Sequence, residues 1–311
     1  MSKTVKIDSN NIKEFMDSFD TALVDCDGVI WHGDNALKGA ASTLSTFKKM
    51  GKRVLYVSNN STKSLEDYMA KFQRLKFDVA ENEIFFPSVL VAKYLIKKKV
   101  EGSVYVIGSK GITDELDKVG IKHSKIGADP VTRDNHIDWI LNDLHLDKEV
   151  GAVVMGFDPH ISLSKYTKAC SYLRNPKCHF ILTNADRMFP IDSQAVLPGT
   201  GALVSPIITG SEREPVILGK PHSFMFDSIQ DVHKINPSRT IMIGDNMSTD
   251  MAFGYNNNFF ATVLVLTGVC QWITVEKCMM SKNEEDRKMI PTHFIEKISD
   301  FGELIKQKKL A

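Results

Sequence analysis

The chain has 311 residues, enough for a large core and two domains. Its 39 basic and 38 acidic residues nearly cancel, so no bulk field draws it to nucleic acid or to a membrane surface. Hydrophobic residues make up 43% and charged residues 25%, which excludes a disordered chain, and no apolar run is long enough for a membrane span.

Asn10 or Asn11 can cap a first helix in which Ile12, Phe15, Met16 and Phe19 recur at helical spacing. Thr21 to Gly33 follows. Ala22, Leu23 and Val24 form an apolar run without alternation, which suits a strand buried on both faces of a parallel sheet. Asp25, Asp27 and Gly28 come directly after it. A helix is expected from about 37 to 50, stopped by Gly51. Arg53 to Ser58 reads as a second buried strand running into Asn59, Asn60 and Ser61. Ser64 can cap a helix with Leu65, Tyr68, Met69, Phe72 and Leu75 on one face. A short strand at Ile84 to Phe86 and a helix from Val89 to Lys99 follow.

Around Glu101 and Gly102 a second unit is expected, with strands at Ser103 to Ile107, Ala152 to Met155 and His179 to Leu182. Thr209 to Glu214 reads as its closing linker. The first kind of unit then resumes. Val216 to Leu218 leads to Gly219-Lys220-Pro221, Thr240 to Ile243 leads to Gly244-Asp245-Asn246, and a helix closes the chain after Ser299. The expected fold is α/β: a doubly wound parallel sheet formed by 1–100 and 211–311, with a smaller inserted α/β cap at 101–210.

Four strands thus end in polar clusters: Asp25 with Asp27, Ser58 with Asn59, Lys220, and Asp245 with Asp250 five residues on. Ligands of open α/β sheets bind beyond the carboxyl ends of the strands, where such clusters converge. Adjacent carboxylates resist joint ionisation unless a cation lies between them. Oxygen-only ligands select a hard cation, and Mg2+ suits a site that also takes phosphate. A carboxylate can attack a phosphoryl group if Mg2+ and Lys220 neutralise the charge, with one acid ionised and its neighbour protonated.

The order D-x-D-G-V, S-N-N-S, G-K-P and G-D-x-x-x-T-D resembles the four motifs of the haloacid dehalogenase-like hydrolases. In the second unit, Gly156 to His160, Thr183 to Asp186, Phe189-Pro190 and Leu197 to Gly201 resemble the 4-nitrophenylphosphatase and phosphoglycolate phosphatase branch with its type IIA cap. The resemblance implies a Mg2+-dependent phosphatase of small phosphorylated metabolites working through an aspartyl phosphate. It implies Asp25 as nucleophile and Asp27 as general acid and base. Asp25, the Asp27 carbonyl and Asp245 would hold Mg2+, with Asp250 in support. Ser58, Asn59 and Lys220 would bind the phosphoryl group, and the cap residues Asn184, Asp186 and Phe189 would select the leaving group. A homodimer is also implied. Phosphoglycolate is the expected substrate. Pyridoxal 5′-phosphate is the alternative, disfavoured by Phe189 and by Thr62-Lys63. An inactive binding protein on the same fold is the alternative of a different class, although Asp25, Asp27, Lys220 and Asp245 are all present.

Other features read more simply. His222 and the Asp158/His160 pair are expected to be structural, and Cys26 a small buried hydrophobe. The five scattered cysteines and an N-terminus without an apolar signal segment lead us to expect a cytoplasmic protein.

Overall fold

The computed structural model describes residues 4–189 and 195–310. Thirteen strands occur along the described chain: β1 (Val5–Lys6), β2 (Thr21–Val24), β3 (Trp31–His32), β4 (Asn35–Ala36), β5 (Arg53–Val57), β6 (Ile84–Phe85), β7 (Ser103–Ile107), β8 (Val150–Met155), β9 (His179–Leu182), β10 (Val216–Ile217), β11 (Thr240–Gly244), β12 (Ala261–Val265) and β13 (His293–Ile295). They fall in two compact units, Met1–Ser58 with Tyr68–Phe85 and Lys220–Ala311, and Asn59–Asp67 with Phe86–Gly219.

The first unit holds a seven-stranded sheet in the order β1-β13-β12-β11-β2-β5-β6. Every pairing in it is parallel. From β2 the chain winds one way to β5 and β6 and later the other way to β11, β12 and β13. The direction of winding therefore reverses between β2 and β11, the place where such sheets open a crevice at their carboxyl edge. Ala22, Leu23 and Val24, and all of β11 and β12, are buried, as their unbroken apolar runs require. Each such Leu, Ile or Val contributes about 1.5–3 kcal/mol on burial.

The second unit carries a four-stranded parallel sheet, β10-β9-β8-β7. Here the strand assignment is corrected. Val216 and Ile217 pair with Ile181 and Leu182 in this sheet, not with the strands of the first unit. A two-residue edge strand takes its sheet from its partner, which its own residues do not specify. Thr209 to Ser211 are also not linker. They are the last turn of the helix Thr200–Ser211, whose C-cap Glu212 adopts the left-handed conformation.

Local signals explain some helix ends. The Ser64 hydroxyl accepts from the Asp67 N–H at 3.2 Å, and the Asp67 carboxylate accepts from the Ser64 N–H at 3.0 Å, a reciprocal cap for the helix Leu65–Arg74. Gly51, at φ +78°, ends the helix Ala40–Lys49. Asn11 is a third correction. It precedes the first helix, but its side chain turns back to the Asp8 N–H and the Lys6 carbonyl and does not cap.

Candidate active site

Asp25 lies one residue beyond β2, and its N–H donates to the Ile243 carbonyl of β11 at 2.9 Å. That bond holds the acid at the reversal point of the sheet. Asp245 lies one residue beyond β11, and Asp250 follows in a wide helical turn, Met247–Met251. Carboxylate oxygens of Asp25, Asp245 and Asp250 lie within 4.8 Å of one another, and all three residues are buried.

Lys220 joins them. Its ammonium donates to Asp25 Oδ1 at 2.5 Å, to Asp250 Oδ1 at 2.7 Å and to the Val57 carbonyl at 3.1 Å. Only 2% of Lys220 is exposed. Burial works against its charge, but the Asp25 and Asp250 carboxylates overcome that and keep the lysine protonated. Burial pushes the Asp25 carboxyl well up, with the charges of Asp250 and Asp245 adding to the effect. Asp245 is pushed up to about 7 by burial and then by Asp250, while the Val269 N–H and Lys220 pull the other way.

Three buried carboxylates therefore face one ammonium, an excess of two negative charges when all are ionised. A divalent cation would balance that excess, and an all-oxygen donor set suits a hard one. The chemistry of these residues thus fits Mg2+.

Asp245 sits in a close-fitting cradle. Its Oδ2 accepts the Val269 N–H at 2.8 Å. A Cβ on Gly28, which has φ +82°, would come within 2.4 Å of that oxygen, and one on Gly268 within 1.7 Å. Both loops approach the carboxylate only because neither carries a side chain. Asp250 supports the same loop, its Oδ2 accepting the N–H groups of Asp245 and Asn246 at 3.1 Å each.

Asp27 is half-buried and is not one of the three acids of the cluster. Its Oδ1 accepts the Trp31 indole N–H at 2.9 Å. Trp31 is fully buried against Phe72, with ring centroids 4.9 Å apart. Ser58 is buried after β5, one residue beyond the carbonyl that Lys220 holds. Its N–H donates to the Phe85 carbonyl at 3.0 Å, and its hydroxyl is 3.0 Å from that of Tyr68. Lys220, Asp25, Asp245 and Asp250 thus meet, and Lys220 touches the residue before Ser58.

In the second unit, the Asn59 amide donates to the Asp186 carboxylate at 3.2 and 3.4 Å. The Asn184 amide donates to the Asn59 carbonyl at 2.8 Å, and the Asp186 N–H to the Asn184 side chain at 3.1 Å. Asn59, Asn184 and Asp186 therefore form one cluster. Phe189 packs on Phe157 at 4.4 Å between centroids, and Pro190 lies outside the described residues. Asp158 is buried in an ion pair with Lys165 and accepts the His160 N–H, a turn-fixing role. Cys26 is fully buried and its thiol is pushed well up by burial, so it is inert at neutral pH. Trp31, Gly268 and Val269 escaped the reading of motifs, although Thr267-Gly268-Val269 directly follows a strongly apolar strand and could have been counted as a further polar strand end.

Fold and site define a doubly wound α/β enzyme with a buried acid cluster and a lysine at the reversal point. Residues 22–122 match the family model described as haloacid dehalogenase-like hydrolase, and residues 217–300 match a second, HAD-hydrolase-like model. The chain is 37% identical to a 4-nitrophenylphosphatase of Schizosaccharomyces pombe over 94% of its length and 96% of the relative's. It is 35% identical to the glycerol-3-phosphate phosphatase of Mus musculus (96% and 95% covered) and 37% identical to phosphoglycolate phosphatase 2 of Arabidopsis thaliana (96% and 97% covered). The solved structure of a p-nitrophenyl phosphatase from Archaeoglobus fulgidus superposes with a TM-score of 0.76 at 25% identity, over 92% of this chain and 99% of that one. The chain belongs to the haloacid dehalogenase-like hydrolases. It is an enzyme, a phosphoric monoester hydrolase.

Proposed function

We propose that the chain is a Mg2+-dependent phosphatase of small phosphometabolites that works through an aspartyl phosphate on Asp25. The observation that carries this reading is the Lys220 ammonium bonded to Asp25 inside a cluster of three buried carboxylates. Asp25 Oδ attacks phosphorus in line. As that bond forms, the bond from phosphorus to the leaving oxygen breaks, and the Asp27 carboxyl gives its proton to that oxygen. The Asp27 carboxylate then takes a proton from water, whose oxygen attacks phosphorus and frees Asp25. Lys220 holds Asp25 and spreads positive charge toward the incoming dianion. Ser58 and Asn59 bind non-bridging oxygens. Asp25, the Asp27 carbonyl and Asp245, with Asp250 in support, would hold Mg2+, which when bound would supply further charge neutralisation for the transferred phosphoryl group.

The second unit is the cap in this reading, with Asn184, Asp186 and Phe189 selecting the leaving group. The first-choice substrate is 2-phosphoglycolate, supported by the name of the Arabidopsis relative, with 4-nitrophenyl phosphate as an artificial substrate. Glycerol 3-phosphate is the second reading, favoured by the similarity to the mouse enzyme. A cytoplasmic homodimer is the assembly that goes with it, and its five cysteines are free thiols. A panel of 2-phosphoglycolate, glycerol 3-phosphate and pyridoxal 5′-phosphate with Mg2+ tests the substrate. The first is expected to show the highest kcat/KM, and a clear preference for pyridoxal 5′-phosphate would reverse the order. Asp25→Asn is expected to abolish turnover of all three with unchanged circular dichroism.

A further inference from the structure

The first unit holds a second concave site. A groove of about 840 Å³ runs between the helices Ala40–Lys49 and Ile298–Gln307. Phe47 and Phe301 lock the two helices together, their rings 5.4 Å apart and edge to face. Gly39 and Ser299 are in close contact where the helices begin, for a Cβ on Gly39 would lie 2.7 Å from that of Ser299.

Four features point to an anionic ligand. Both helices begin in the groove; Gly39 offers the first no side-chain cap, and at the second the Asp300 carboxylate accepts only the Lys297 N–H, at 3.3 Å. The N–H groups of Ala41, Ser42, Ile298 and Ser299 find no acceptor among the described residues. Such groups, with the helix dipoles behind them, favour negative charge. Thr43 and Ser299 line the groove at only 2% and 8% exposure, and neither hydroxyl has a partner among the described residues. Thr43 Oγ1 faces Gly302, where a Cβ would come within 2.6 Å of it, so the missing side chain opens the groove onto that hydroxyl. Neither oxygen is sealed from the groove, for the buried side-chain atoms without a partner among the described residues are Ser61 Oγ and Gln230 Oε1, so a ligand oxygen in the groove can reach both hydroxyls. The rim carries Lys38, Lys297, Lys306 and Lys309 against the single acid Glu303. Lys297 also lies 3.6 Å from Asp300, which is outside the groove lining.

We propose that this groove is a second, non-catalytic site for a soluble phosphorylated metabolite. The phosphate sits over the free N–H groups and accepts from Thr43 and Ser299, and the lysines balance its charge. The volume leaves room for more than the phosphate, within the range of small-molecule sites. The groove shares a wall with the acid cluster. Thr267 lines it and donates to the Gly28 carbonyl at 2.6 Å, and Gly28 presses on Asp245. An occupant would therefore rest on the loop that cradles Asp245.

Amide NMR of the full chain with excess Mg2+, titrated with inorganic phosphate, tests the proposal because it resolves the two sites. The expected result is saturable shifts at Ser42, Thr43 and Ser299, separate from those at Ser58 and Asp245. In the double variant Lys38→Glu/Lys306→Glu, the apparent Kd from the groove signals should rise at least tenfold while the active-site signals and basal turnover stay unchanged. Shifts confined to Ser58 and Asp245 would overturn the second site. So would groove signals whose Kd the double variant leaves unmoved. Co-sedimentation with phosphatidylserine vesicles, without phosphate-induced groove shifts, would assign the lysines to a membrane surface and overturn a soluble ligand.

Discussion

Lys220 Nζ lies 2.5 Å from Asp25 Oδ1, across 195 residues of chain. The contact joins the first and third motifs of the sequence and fixes both side chains by the charge that each brings. One ammonium between two buried carboxylates is a strong constraint. Removing one partner of a buried ion pair leaves an uncompensated charge that costs about 3–5 kcal/mol.

Lys220→Met should therefore lower stability by about that amount and abolish turnover. Urea unfolding and kcat measured on the same preparation check this. A variant as stable as the parent would mean that Asp25 and Asp250 do not depend on the lysine.

Gly268→Ala tests the Asp245 cradle. The added Cβ meets Asp245 Oδ2 at 1.7 Å, so the carboxylate must move. If Asp245 holds Mg2+ as proposed, displacing it should raise the Mg2+ concentration for half-maximal rate by about 10–100-fold. Titrating the rate with Mg2+ gives the value directly.

Trp31→Phe removes the indole donor to Asp27 while keeping a ring against Phe72. If this bond positions the general acid, kcat should fall by about tenfold, which corresponds to about 1.4 kcal/mol. KM should change little. A fall in stability without a fall in kcat would leave Trp31 a packing residue only.

Stability should depend on pH through His179 and His293, whose pKa values burial lowers below the usual histidine value of 6.5. The unfolded chain protonates them first on acidification. Between 6.5 and the lower folded values the unfolded state carries more protons, so stability rises with pH. The contribution is complete above the unfolded pKa and is lost as pH falls through the window below it. The raised Asp25 and Asp245 carboxyls act in the opposite sense over the same range, so the test is differential: between about pH 7.5 and about pH 5, His293→Gln should lose less stability than the parent, read as urea midpoints.

Much of the site was legible because it is local in sequence. Buried strands announce themselves as unbroken apolar runs, and Asp25, Ser58 and Asp245 each follow one directly. Parallel strands alone put them at one edge of the sheet. What could not be read depends on which of several possible partners a residue meets once the chain is folded, near or far along the sequence. Val216 and Ile217 join the sheet of Ile181 and Leu182, a choice that two residues cannot encode. Asn11 has the right type for a cap, yet the Lys6 carbonyl and Asp8 N–H compete successfully for its amide. The role of Gly268 is visible only once Asp245 lies against it, and that of Trp31 only once its indole meets Asp27.

The proposed reaction depends most heavily on Asp25 as the covalent nucleophile. Borohydride quenching during turnover of 4-nitrophenyl phosphate, followed by peptide mass spectrometry, tests it directly. An aspartyl phosphate is reduced to homoserine. Homoserine is expected at position 25 and at no other aspartate, and none in Asp25→Asn. Steady turnover with an unmodified Asp25, or reduction at another acid, would contradict it.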